Sequence, residues 1–138
     1  MNLRTISAII FFLLIGTLLV LTYYPDLPDV KVRIRGEWFR LDYIGHLGFY
    51  AAIASTFLVW QTGWRKKIPI KLIILTFIAG IVLGIFTEYS QKFILGRSFN
   101  PMDMLYNCVG IVAGVLFSWA VGQKVDGGEG KTGRRGEV

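Results

Sequence analysis

Three apolar runs without a charged residue constrain this chain more than any other feature: residues 6–24, 72–87 and 104–121. Charged residues make up 17% of the 138 residues, against roughly 25% in ordinary globular proteins. Because a membrane-spanning helix needs about 20 apolar residues, these runs predict membrane spans. A chain of this length holds four or five spans and has no room for a separate soluble catalytic or nucleotide-binding domain.

The pattern predicts an all-α membrane protein, a bundle of four transmembrane helices. The spans cover approximately residues 5–24, 43–62, 71–94 and 102–121, and residues 122–138 are predicted to form a disordered cytoplasmic tail. The apolar run 72–87 rises only about 24 Å as a helix, so we extend this span past Glu88 to match the ~30 Å hydrocarbon core. A cleaved signal peptide is the alternative for the first run, but no small-residue cleavage site follows it, which favours a retained span.

The segment 25–41, between the first two spans, alternates charged and apolar residues, as in Val30-Lys31-Val32-Arg33. Period-two alternation is typical of a β-strand, although a lone strand in such a protein would have nothing to pair with. An interfacial segment that lies among the lipid headgroups explains the pattern equally well. The sequence leaves these two interpretations open.

Lys and Arg outnumber Asp and Glu by 15 to 9, which gives a net charge of +6. These basic residues lie in the short segments between apolar runs, so we expect membrane lipids as partners and no nucleic acid. With four spans, nine Lys and Arg fall on the side of the two termini and six on the other side. The bias predicts that both termini are cytoplasmic. The oligomeric state stays open, and a homo-oligomer is one alternative.

Cys108 is the only cysteine, which excludes an intramolecular disulfide and a Cys/His metal cluster. Its apolar neighbours indicate a small packing residue. His46, Glu88 and Asp103 would be three metal ligands if they met, but this is the weaker interpretation of those residues. We predict no metal site and no cofactor.

Polar residues share a helix face with small residues in the last two spans. The small residues, Gly80-x-x-x-Gly84 and Gly110-x-x-x-Gly114, favour close helix packing. A polar residue on such a face is buried between helices, and the predicted topology brings all the polar ends to the outer side. Each residue taken alone has a simpler interpretation as a helix cap or an interhelical hydrogen bond. Together, seven groups are predicted to meet near one membrane depth: Asp42, His46, Glu88, Gln91, Arg97, Asp103 and Asn107.

Two blocks of the sequence resemble the VanZ-like family of small bacterial membrane proteins. The first is DYIGHLGFY at residues 42–50, and the second is EYSQKFILGRSFNPMDMLYNCVG at residues 88–110. The family pattern is an Asp-Lys-x-x-His-Phe block followed by Glu-x-x-Gln, Gly-Arg, Asp and Asn-x-x-Gly. The second block matches nearly throughout, whereas Tyr43 stands where the family has Lys. The missing Lys implies a more negative charge around His46.

The resemblance implies a multi-pass protein of the bacterial plasma (inner) membrane and a role in the cell envelope. The founding member of the family is linked to low-level resistance to the glycopeptide antibiotic teicoplanin. A binding protein for a polar lipid head, a lipid-linked cell-wall precursor or the glycopeptide itself is therefore the first functional hypothesis. Its ligand-binding residues would be Gln91, Arg97, Asp103 and Asn107.

Whether the chain is an enzyme stays open. In the enzymatic alternative the catalytic residues are His46 as general acid or base, Asp42 to orient it, and Glu88 as its partner. The substrate would be a lipid or a glycan substituent. A second alternative is an ion- or proton-coupled carrier that uses the same carboxylate–histidine cluster, but the opposite halves of the spans carry no second polar station.

Overall fold

Four long helices and one β-hairpin make up the fold in the computed structural model, which describes residues 1–25, 31–34, 37–63 and 67–132. The helices are α1 (Leu3–Tyr23), α2 (Asp42–Thr62), α3 (Ile70–Ser90) and α4 (Pro101–Thr132), and a short 3₁₀-helix (Gln91–Phe93) extends α3. All four are long and apolar enough to cross a membrane. A helix of 21 residues is about 31 Å long, close to the thickness of the hydrocarbon core. The prediction of four helices that are long and apolar enough to span a membrane is confirmed.

The helices alternate in direction, and side-chain contacts define the two ends of the bundle. At one end the Arg4 Nη2 donates a hydrogen bond to the carbonyl oxygen of Thr62 at 3.3 Å, which joins the start of α1 to the end of α2. At the other end the Arg97 Nη2 donates to the carbonyl oxygens of Leu21 and Tyr24 at 3.1 and 3.2 Å. The α3–α4 turn therefore lies beside the end of α1.

Helix α2 is central to the packing, because it contacts α4 most extensively and α1 next. The buried apolar core has members from α1, α2 and α4: Leu18, Tyr50, Ile53, Ala54, Leu58, Ile111 and Val115. Large apolar side chains on the outside, such as Phe12, Val82 and Leu116, are 58–60% exposed in the isolated chain. These are the surfaces that a bilayer covers.

Two glycines bring α4 into direct backbone contact with α2. A Cβ atom on Gly110 would lie 2.4 Å from the carbonyl oxygen of Leu47, and one on Gly114 would lie 2.3 Å from that of Ala51. The Ser55 Oγ adds a hydrogen bond to the carbonyl oxygen of Gly114 at 3.1 Å. The predicted role of the Gly110/Gly114 pair in close helix packing is confirmed.

The segment before α2 forms a two-stranded antiparallel hairpin, β1 (Lys31–Ile34) and β2 (Glu37–Arg40). Lys31 pairs with Arg40, and Ile34 pairs with Glu37. The strand interpretation is the correct one, and the objection that a lone strand has no partner was wrong. The partner comes from the second half of the same loop, where the apolar–polar alternation is less regular.

The fourth helix differs from the prediction at its C-terminal end. Residues 122–132 continue α4, whereas we predicted a disordered tail from residue 122. A helix that has already formed gains one backbone hydrogen bond for each residue added, which lets it extend beyond its apolar part. Residues 133–138 of the predicted tail lie outside the described residues.

The glycine contacts predict a stability difference between two glycine-to-alanine variants. Gly114→Ala forces the α2 and α4 backbones apart, so we expect it to lower the free energy of unfolding by about 1–3 kcal/mol. Gly48→Ala in α2 is the matched control, because nothing lies within 4 Å of its Cβ position. Unfolding in mixed micelles measures both variants. Equal stability of the two would contradict the backbone contact.

Candidate functional site

Polar side chains from three helices meet at the end of the bundle that holds the α3–α4 turn. Nδ1 of His46, on α2, lies 2.9 Å from Oδ1 of Asn107 on α4. Its Nε2 lies 3.8 Å from Oδ2 of Asp103, one helical turn earlier on α4. The side chain of Glu88 comes from the end of α3 and is held through Asn100. We call these five residues the polar cluster: His46, Glu88, Asn100, Asp103 and Asn107.

Asn100 connects the cluster to the start of α4. Its side-chain Oδ1 accepts a hydrogen bond from the backbone N–H of Met102 at 3.0 Å, as expected of an N-cap residue followed by proline at the first helical position. Its Nδ2 donates to Oδ1 of Asp103 at 3.0 Å, and its backbone N–H donates to Oε1 of Glu88 at 2.7 Å. One residue thus holds the carboxylates of two helices in place.

The contact with Asn107 sets the protonation of the His46 ring. An amide oxygen only accepts hydrogen bonds, so Nδ1 of His46 carries the proton in this contact. The other ring nitrogen, Nε2, faces the Asp103 carboxylate. The His46 side chain is 21% exposed, whereas that of Asp103 is 7% exposed. His46 is therefore the more accessible of the two.

Asp42 lies at the edge of the cluster, where Arg40 neutralises it. The guanidinium of Arg40 contacts both carboxylate oxygens, with Nε at 3.2 Å from Oδ1 and 3.0 Å from Oδ2. The same guanidinium lies over the ring of Tyr43, 5.3 Å from its centroid. Tyr43 in turn stacks on Tyr106 of α4, with centroids 4.8 Å apart. The more negative charge expected here is offset by Arg40.

Glu88 is the most deeply buried ionisable group of the described residues, with no exposed surface. Its Oε1 accepts from Asn100, but its Oε2 is buried and has no hydrogen-bond partner among the described residues. The same is true of Nδ2 of Asn107, whose side chain is 1% exposed. Buried polar atoms are usually paired, so one acceptor and one donor of the cluster retain unused hydrogen-bonding capacity. A hydroxyl or amide group satisfies either atom.

A second polar contact lies next to the cluster, on the side of the bundle core. Oη of Tyr50, on α2, is 2.7 Å from Oγ1 of Thr87 on α3, and both side chains are buried. Thr87 precedes Glu88, so this contact joins the cluster to the bundle core. Next to it an almost entirely apolar groove of about 100 Å³ runs along α1 and α3 over α2, and its walls include Ile15, Tyr50 and Leu83.

Two predicted site residues have other surroundings. Arg97 was predicted to be a ligand-binding residue, and its Nη2 donates to the carbonyl oxygens of Leu21 and Tyr24 at the end of α1, where a cation stabilises the helix end. Its charge still acts on Glu88. Gln91 is buried, 5% exposed, at the start of the 3₁₀-helix that extends α3.

The structure brings together most of the predicted residues. His46, Glu88, Asp103 and Asn107 form the cluster, and Asp42 lies close enough to act on the charges of His46 and Asp103. In the described part of the chain, no three His, Cys, Asp or Glu side chains are grouped closely enough to hold a metal ion.

Sequence reasoning missed two residues of this site, Arg40 and Asn100. Arg40 precedes Asp42 by two residues, and this short separation of opposite charges was the available signal. Asn100 precedes Pro101, and Asn-Pro before an apolar run is a recognised helix start. We predicted a turn there but did not assign the asparagine to the site.

Comparisons with protein-family models, with curated proteins and with solved structures find no match for this chain.

The His46–Asn107 contact predicts an energetic coupling. In a double-mutant cycle of His46→Ala and Asn107→Ala, we expect a coupling free energy of about 1 kcal/mol, the typical value for one hydrogen bond. The control cycle pairs His46→Ala with Ser55→Ala, about 13 Å further along α2, and should be additive within about 0.5 kcal/mol. Unfolding free energies in mixed micelles give both values. Additivity in the first cycle would show that the two side chains do not interact.

Proposed function

We propose that this chain is a VanZ-like multi-pass protein of the bacterial plasma membrane that binds the polar head of a lipid or of a lipid-linked cell-wall precursor. The residues that carry the sequence resemblance support this proposal, because His46, Glu88, Asp103 and Asn107 are also the residues that meet in the cluster. An association with glycopeptide resistance follows from the same resemblance. The glycopeptide teicoplanin is accordingly the other ligand to test.

The proposed binding face is extracytoplasmic. The cluster end of the bundle carries the hairpin and the α3–α4 turn, whereas Arg4 and the α2–α3 connection lie at the opposite end. The second end is richer in Lys and Arg and its connection contains no acidic residue. The positive-inside rule favours the cytoplasm for that end, with both termini. Lipid-linked cell-wall precursors display their heads on the outer leaflet, where this orientation puts the cluster.

The single observation that carries the proposal is that two buried atoms of the cluster, Glu88 Oε2 and Asn107 Nδ2, have no hydrogen-bond partner among the described residues. Burying a carboxylate without all its hydrogen bonds costs free energy, which a ligand that donates to Oε2 recovers. Sugar hydroxyls and peptide amides, the polar groups of cell-wall precursors, both donate and accept. His46, which contacts Asn107, is the member of the cluster on α2 and has a 21% exposed side chain.

The apolar groove supports a ligand with a hydrocarbon chain. Tyr50 lines the groove, and its hydroxyl is hydrogen-bonded to Thr87, the residue before Glu88, so these two residues connect the groove to the cluster. A head held at Glu88 and a chain laid along α1 and α3 would use both features at once. A water-soluble ligand would contact only the polar cluster and leave the groove empty.

The proposal predicts that Glu88→Gln weakens ligand binding. Gln keeps the acceptor for the Asn100 N–H but removes the charge, so we expect the affinity to fall about tenfold or more. A fluorescent lipid-linked cell-wall precursor and fluorescent teicoplanin, each titrated onto protein in lipid nanodiscs, provide the measurement. Tyr89→Phe is the matched control, because Tyr89 is the next residue and is 53% exposed on the outer surface.

The same titration tests the groove. Ala79→Phe fills it, and we expect weaker binding of the lipid-linked precursor with unchanged binding of the water-soluble head. If the wild-type protein binds neither probe, or if Glu88→Gln binds as tightly as Tyr89→Phe, the binding function is refuted.

An intramembrane enzyme is the second candidate, and the arrangement around His46 favours it. Asn107 orients one ring nitrogen while the other faces a carboxylate, which is the arrangement of a general base with an orienting partner. Glu88 is the second proton carrier within electrostatic reach. The substrate would be a substituent on a polar lipid or glycan.

Catalysis predicts a chemical change in the envelope that depends on His46. Lipid and cell-wall composition, measured by mass spectrometry, should change in the same way in a deletion strain and in a His46→Ala strain. Ser55→Ala, at the α2–α4 contact away from the cluster, is the control and should match wild type. Immunoblotting of membranes checks that each variant is present at the wild-type level. Unchanged profiles in the deletion strain would remove the enzymatic candidate.

A further inference from the structure

Three basic side chains meet at the end of the bundle opposite the polar cluster. Arg4 comes from the first turn of α1, Lys67 from the connection before α3, and Lys71 from the first turn of α3. Together with Gln61, Leu72 and Leu75 they line a pocket of about 470 Å³. Arg4 is more than 60 residues away from both lysines in the sequence, so only the folding of the chain brings the three side chains to one pocket. We call it the basic pocket.

No acidic side chain of the segments that form the basic pocket compensates its charge. Residues 1–25 and 43–87 contain neither Asp nor Glu. The ion pairs between described residues, Arg40–Asp42 and His46–Asp103, lie at the other end of the bundle. Three positive charges around one pocket repel each other, and an anion bound between them would relieve that repulsion.

Backbone geometry adds to the positive potential of the pocket. Helix α3 starts after Pro69, which makes no side-chain cap hydrogen bond, so its first N–H groups have no side-chain acceptor. Arg4 is held at the pocket wall by its hydrogen bond to the carbonyl oxygen of Thr62. Gly63, at a φ of +66°, makes room for it, because a Cβ there would lie 2.9 Å from the Arg4 Nε.

The pocket has a polar rim and an apolar wall. Arg4, Lys67 and Lys71 are exposed at the membrane boundary, whereas Leu72 and Leu75 belong to the apolar part of α3. A phosphate at the rim with a hydrocarbon chain against the wall matches both features, and basic pockets between transmembrane helices bind anionic lipid heads in this way. A free phosphate ion would leave the apolar wall unused.

We propose that the basic pocket binds the phosphate head of an anionic phospholipid, with Arg4, Lys67 and Lys71 as the phosphate contacts and Leu72 and Leu75 along an acyl chain. This site is independent of the polar cluster and of the function proposed for it. It fastens the start of α1 to the start of α3, two helices that have few contacts with each other. The bound lipid adds a further contact between α1 and α3.

Native mass spectrometry of the purified full chain tests the proposal with phosphatidylglycerol as the probe. We expect wild-type protein to bind it more tightly than the zwitterionic phosphatidylcholine. Lys67→Gln/Lys71→Gln removes two phosphate contacts from exposed positions, and we expect the affinity for phosphatidylglycerol to fall about 30-fold. Lys31→Gln/Lys92→Gln is the matched control, since it removes the same charge at the other end and should change the affinity less than threefold.

Four outcomes would overturn the proposal. An equal loss of affinity in both double variants would mean that the net charge of the protein attracts the lipid and that no specific site binds it. A loss below threefold in Lys67→Gln/Lys71→Gln means that the pocket is not used. Equal binding of the two lipids by wild type shows no preference for an anionic head. Displacement of phosphatidylglycerol by millimolar inorganic phosphate identifies a free-anion site instead.

Thermal unfolding with and without phosphatidylglycerol gives a second readout, which should show a stabilisation in wild type that is lost only in the pocket variant.

Discussion

Direct contact between the backbones of α2 and α4 is the constraint on which the rest of the structure depends. Gly110 and Gly114 lie so close to the carbonyl groups of α2 that no side chain fits between them. One helical turn from Gly110, this approach brings Asn107 within 2.9 Å of His46, and a further turn brings Asp103 near the same ring. If the helices were separated by the width of one methyl group, these polar contacts would be lost. Small residues in the membrane therefore make the polar cluster possible.

Charged groups at membrane depth need partners, and those of this chain find them in different ways. Arg40 neutralises Asp42 from the preceding strand, and Asn100 supplies hydrogen bonds to the carboxylates of Glu88 and Asp103. Arg97 meets the last carbonyl groups of α1. Among the described residues, the buried polar side-chain atoms without a hydrogen-bond partner are Glu88 Oε2, Arg97 Nε, Asn107 Nδ2 and Ser118 Oγ. Two of these four atoms, those of Glu88 and Asn107, belong to the polar cluster, which distinguishes it from ordinary helix capping.

The residues of the cluster could be predicted because helical periodicity is local. Asp103, Asn107, Gly110 and Gly114 share one face in any α-helix, and the apolar runs indicate where the helices lie. The hairpin was harder, since its second strand carries no regular alternation and its stability comes from pairing with the first. The role of Asn100 could not be predicted from the sequence for a related reason. A cap position is visible in sequence, but its contact with Glu88 on another helix is not.

The sequence by itself determined that four segments are long and apolar enough to cross a membrane and which face of each is polar, because hydropathy and residue spacing act within single segments. Only the tertiary structure decided which side chains meet. His46 touches Asn107 across 61 residues, and Arg4 reaches the pocket of Lys67 and Lys71 across a similar separation. Such contacts depend on how helix backbones approach and on their rotation about their own axes. Both are set by the packing of all the helices together, which no local pattern of residues encodes.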